Sequence, residues 1–284
     1  MKDSLLGART RLYSGVAISW ADMGSDAVMI GKYISEGKFT AAGLQIGFVL
    51  TNMLLQMLLV YMQYRKRDRG VIVKEVAFVV FQLKGAMDVS RATSGDDKHE
   101  DALLTQMVEL TFTKGAEMIG EAIPSTIVQC YNLILVGGDD KIAMASIIMS
   151  CFATGFAAAC ISYDLDTSVE QRKINPGFYG YTPDPDEGRG LVFGLMVLQG
   201  ASLTLMKCVG YTYFYSASPL IAKAVFVGDI ICFLLFKLVR KDLRYWMRLD
   251  GAASWILCVV FRVVVKILVD FTGCSHYRHP YEMG

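Results

Sequence analysis

Apolar residues arrive in this chain in blocks of about 18 to 25, divided by short polar or basic stretches. A soluble domain of the same apolar content would show short periodic pieces instead. Blocks at 13–30, 41–64, 141–163, 191–215 and 219–239 have the length of a helix that crosses a hydrocarbon core, and a longer run at 103–136 exceeds it. Two further blocks, 71–90 and 252–271, are broken by charges: Lys74, Glu75 and Lys84 in one, Arg262, Lys266 and Asp270 in the other. The pattern predicts an all-α, polytopic transmembrane helical bundle of about 6–8 membrane helices, one or two of them re-entrant or interfacial. It forms a single membrane domain over 1–284, with a polar linker at 90–101 (SRATSGDDKHED) and a long polar loop at 164–189. The prolines, glycines and aromatics of that loop suit an ordered cap.

Basic residues orient the prediction. The second block ends in Arg65-Lys66-Arg67-Asp68-Arg69, the densest basic cluster, which the positive-inside tendency places in the cytoplasm. The hairpin then returns the N-terminus, with Lys2, Arg9 and Arg11, to the same side. The linker at 90–101 reads as cytoplasmic too, so 71–90 has both flanks on one side. It lies at the interface, or dips in and returns. A second basic cluster, Lys237, Arg240, Lys241, Arg244 and Arg248, precedes the block at 252–271. That block is either a span or a re-entrant helix. The recurring order of span, span, basic cluster and charged block is a weak two-fold internal repeat.

Composition narrows the class. With 54% hydrophobic residues and a net charge of +1, nothing resembles a basic nucleic-acid-binding domain. Six of the seven cysteines lie inside apolar blocks and read as small buried hydrophobes, not a disulfide framework. Cys274, His276 and His279 are too few for a metal site, and no cofactor is expected. The first block carries two Asp and no cleavage site follows it, so it reads as a retained span. No nucleophile, base and orienting group come together, so an enzyme is not expected.

The chemistry lies in charges within the apolar blocks. Lys114, Glu117 and Glu121 share one helical stripe, and Asp22 and Asp26 form another i,i+4 pair. Pro124 is expected to kink the helix near Gly120 or Glu121. Ionised groups at that depth cost about 2.5–3.5 kcal/mol each, so they need partners or a wet path. Four acids against Lys114 and Lys207 leave two acids over. The set is a structural polar network or a hydrophilic path for a headgroup or ion. Asp164, Asp166, Ser168 and Glu170 alternate like a calcium loop, but the sixth position is not glycine and the twelfth is Asn175, not a carboxylate. A helix-end cap is the simpler reading.

These features together resemble the XK-related family of membrane proteins. The resemblance rests on Trp20-Ala-Asp-Met-Gly-Ser-Asp26 in the first helix, Gly37 and Gln56 after it, and Glu117, Glu121, Pro124 and Val128-Gln129. Lys207 falls where that family places a buried basic residue. Ser125 and Lys207 depart from the family's Gln and Arg. The family is also longer in its second half, so the chain is expected to lack C-terminal helices or to be a fragment. The resemblance covers about residues 13–240. It implies a phospholipid scramblase, moving lipid between leaflets along a charged groove, in the plasma membrane or an endomembrane. It also implies a single-span or cytosolic lipid-transfer partner beside the membrane phospholipids. The alternatives are a non-catalytic anchor that docks such a partner, and, third, an ion channel or transporter.

Overall fold

The structure, a computed structural model, describes residues 3–65, 67–94, 106–137, 139–167, 182, 188–241 and 252–274. Among these, every regular element is helical. Helix α1 (Asp3–Ser35) begins well before the predicted block and outlasts it. Its end is set by Gly37, at φ 72°. The turn closes with Lys38 N–H on Tyr33 O at 2.8 Å and Gly37 N–H on Ile34 O at 3.1 Å, a Schellman cap. The expected loop of 31–40 therefore shrinks to a three-residue turn before α2 (Phe39–Tyr64).

The block at 71–90 is not one helix. It divides into α3 (Arg69–Val80) and α4 (Lys84–Ser94). The same cap recurs between them, with Leu83 N–H on Phe78 O at 2.8 Å. Here the left-handed position is held by Gln82, at φ 56°, which costs about 1–2 kcal/mol relative to glycine. At 12 residues α3 is about 18 Å long, well short of a bilayer core. The tip touches the middle of α1, where Trp20 Nε1 donates to Gln82 O at 3.3 Å, and its Val80, Phe81 and Leu83 are exposed. The segment is a helical hairpin, and each arm is too short to cross a bilayer core. Residues 90–94 belong to α4, which corrects the start of the predicted linker; 95–101 lie outside the described residues.

Helix α5 (Gln106–Glu117) continues without a break through a π-helical turn (Met118–Ala122) into α6 (Ile123–Val136). The wide turn, closed by Ile123 N–H on Met118 O, sits where a kink was expected from Pro124. Then come α7 (Lys141–Thr167), α8 (Arg189–Ala217), α9 (Pro219–Val239) and α10 (Ala252–Thr272). Residues 164–167 are the last turn of α7 rather than loop, and 168–181 and 183–187 lie outside the described residues. Four helices, α2, α7, α8 and α9, are long and apolar enough to cross a membrane. The all-α bundle is as expected; 6–8 crossings exceed those four.

Helix α7 is the centre, packed against α8, α1 and α6. Its small residues allow this. A Cβ on Gly155 would stand 2.3 Å from the backbone nitrogen of Ala201, so α7 and α8 cross at backbone contact. Ile123, Ile147, Cys151, Cys208 and Phe271 fill the core beside that crossing. Helix α1 is fastened to both ends of α7, by Arg11 to Asp164 and by Lys32 to Asp140. Asp140 also accepts the backbone N–H groups of Ile142 and Ala143 and so caps α7. The hydrogen bond from Lys32 holds its carboxyl below the usual range. Helix α10 stops half-way: Phe271 O accepts Thr204 Oγ1 at 3.0 Å in the middle of α8. Cys274 then lies beside Ser162, at 3.0 Å. Helix α9 is peripheral and almost wholly unburied.

Candidate functional site

The π turn brings its backbone against α2. A Cβ on Gly120 would meet Asn52 Cα at 3.1 Å, so any larger residue would push the two elements apart by a few tenths of an ångström. That approach places Glu121 beside Asn52, whose Nδ2 donates to Glu121 Oε2 at 2.5 Å. Gln56, one turn along α2, donates to Asn52 Oδ1 at 2.9 Å. On α1, Asp22 faces α7 and Asp26 faces α6. Ser150 Oγ donates to Asp22 Oδ1 at 2.5 Å. Asp26 takes both oxygens' worth of donors, from Ser125 at 3.0 Å and Gln129 at 2.7 Å.

Asp22, Asp26 and Glu121 are all buried. Their hydrogen-bond donors are neutral hydroxyls and amides. Lys114 supplies the nearby cation, and it is engaged by Glu117 at 2.7 Å and by Ser19 at 2.5 Å. Asp22, Glu117 and Glu121 therefore share one cleft with Lys114, and Asp26 lies behind it. The cleft, of about 40 Å³, is lined by Trp20, Asp22, Asn52, Lys114, Glu117 and Glu121. The α3–α4 tip, through Gln82 and Lys84, forms one wall. A second cavity of about 40 Å³ shares Ser19 and Lys114 and runs toward Arg11 and Asp164. Between those polar ends its walls are mostly apolar, with Leu12, Val89, Leu110, Phe156 and Ile161.

The structure sorts the predicted residues. Asp22, Lys114, Glu117 and Glu121 line the cleft, while Asp26 is satisfied behind it and does not. Lys207 is a correction: it is exposed on α8 and takes no part, because the face of α8 that packs inward carries Thr204 and Cys208. The weak calcium candidates at the end of α7 have protein partners where they are described. Asp164 is bound by Arg11, and Asp166 accepts the backbone N–H of Thr182 at 2.7 Å. Ser168 and Glu170 lie outside the described residues. Among the described residues no three metal-ligating side chains cluster.

A second charged cluster escaped the sequence reading. Lys84 reaches Asp88, Glu109 at 2.6 Å and Glu75 at 3.4 Å, and Arg91 pairs with Glu75. Tyr64 OH adds a bond to Glu109 at 3.2 Å. Lys84, Glu75, Asp88 and Glu109 are nearly inaccessible, so charges seat the hairpin against α2 and α5. The available signal was the i,i+4 spacing of Lys84 and Asp88, which becomes visible once 84–94 is read as a helix.

The first helix carries an acid-rich seam, the fifth and sixth meet at a proline-marked wide turn, and a short helical hairpin walls the cleft. The XK-related protein family matches the chain over residues 12–181, well over half its length. The chain belongs to the XK-related family. The XK-related match spans α1 to α7 and therefore every helix that lines the cleft; α8, α9 and α10 lie beyond it. No curated protein matches the chain. XK-related proteins are membrane proteins related to scramblases, and this one is an integral membrane protein with four apolar helices of spanning length among its described residues.

Proposed function

We propose that the cleft is part of a hydrophilic route by which phospholipid headgroups pass between leaflets, the acyl chains staying in the surrounding lipid. The observation that supports it is the surplus of acid: Asp22 and Glu121 each keep one carboxylate oxygen without a protein donor, in a cleft whose lysine is already paired. A closed structural network would satisfy those oxygens, as Asp26 is satisfied. At mid-membrane depth an unsatisfied carboxylate is tolerated where water or a polar ligand reaches it.

The test is a liposome assay. Purified protein is reconstituted with fluorescent phospholipid, and dithionite bleaches the outer leaflet. Wild type should bleach well beyond half of the signal. Glu117→Gln/Glu121→Gln, checked to be monodisperse, should stop at half. Bleaching to half in both proteins would reject the route and favour an anchoring role.

A further inference from the structure

The cleft offers two complementary groups, and this inference rests on the route just proposed. One group is anionic. Asp22 is 7% exposed and Glu121 8% exposed, and each turns an unpartnered oxygen into the cleft. The other is cationic. The Lys114 ammonium has three N–H donors, and Ser19 and Glu117 take two of them. Its third donor is left for a ligand. Trp20, 46% exposed, stands at the same cleft with its indole N–H fixed on Gln82 O. The ring is thereby held in place, and an indole face attracts ammonium groups.

We infer that the cleft is selective for zwitterionic headgroups, whose ammonium meets Asp22, Glu121 and Trp20 and whose phosphate meets Lys114. The formal charge of the lining decides against the alternatives. Asp22, Glu117 and Glu121 oppose Lys114, while Lys84, also in the wall, is already held by Glu75, Asp88 and Glu109. A headgroup with phosphate alone, or phosphate and a neutral polyol, brings net negative charge into an acidic, low-dielectric site and is repelled. A bare metal ion fits less well. No three metal-ligating side chains cluster among the described residues, and an aromatic wall gives nothing to a small hydrated cation.

The space now present suits water rather than a headgroup, so transfer requires the walls to part. Selectivity is therefore read as a rate. Acyl-labelled phosphatidylcholine and phosphatidylglycerol, each at trace level in neutral vesicles, are compared by dithionite bleaching on the same protein. The choline lipid should move at least about tenfold faster, the lower end of what a focused field does to rates. Trp20→Leu should slow the choline lipid more than the glycerol lipid and so shrink the ratio. Tetramethylammonium should slow transfer of the choline lipid more than sodium does at equal ionic strength. Equal rates for the two lipids, or equal inhibition by both salts, would overturn the selectivity and leave the route standing. Transfer of neither lipid would remove the route, and the inference with it.

Discussion

Asp22 and Asp26 lie one helical turn apart on α1, yet their surroundings give them different work. Asp26 is held by Ser125 and Gln129 and is closed off. Asp22 has one bond, from Ser150, and one oxygen open to the cleft. Removing a donor from Asp26 strands a buried carboxylate, so Gln129→Leu should destabilise the protein by about 1–3 kcal/mol. Asp22→Asn keeps the acceptor that Ser150 needs and should change stability by less than about 0.5 kcal/mol. Chemical denaturation in detergent, followed by circular dichroism, measures both. A larger loss for Asp22→Asn than for Gln129→Leu would show the two roles to be assigned the wrong way round.

At the scale of elements, the contrast is between two lysines. Lys84 and Lys207 both sit in apolar blocks, and reading the blocks gave Lys207 the greater weight. The structure buries Lys84 among three acids and leaves Lys207 exposed. Lys84→Met should therefore cost about 3–5 kcal/mol, because Glu75, Asp88 and Glu109 lose their shared cation. Lys207→Met should stay within about 0.5 kcal/mol of wild type. Thermal melting of the two variants side by side decides it, and similar losses would sink the distinction. The example also shows what was legible. Block length gave the long helices, since spanning length is a property of one segment. Pro124 marked the wide turn, because a missing N–H is a local fact. Which face of α8 turns inward depends on Gly155 meeting Gly200, 45 positions apart in the numbering, and no segment carries that alone. That 71–90 holds no single spanning helix was legible from its flanks and length. The charged seat of the α3–α4 hairpin was not, because Glu109 joins it from another helix.

For the whole molecule, one arrangement has a consequence in time. The partners of α1's acids are distant along the chain: Ser125 and Gln129 lie 99 and 103 residues beyond Asp26, and Ser150 lies 128 beyond Asp22. Arg11 waits longer still, 153 residues, for Asp164. At synthesis rates of roughly 5–20 residues per second, α1 emerges on the order of 5–30 s before the groups that will answer it. Left to itself, α1 is too charged to count among the helices apolar enough to span. Nascent chains cut after residue 100 should therefore hold α1 in the bilayer poorly, and chains cut after residue 167 should hold it well. A glycosylation tag placed in the turn at Gly37 reads the difference, and full insertion of the shorter chain would contradict it. The first helix to be made is the last to be secured, so for the early part of its life this protein depends on whatever shelters an unfinished membrane helix.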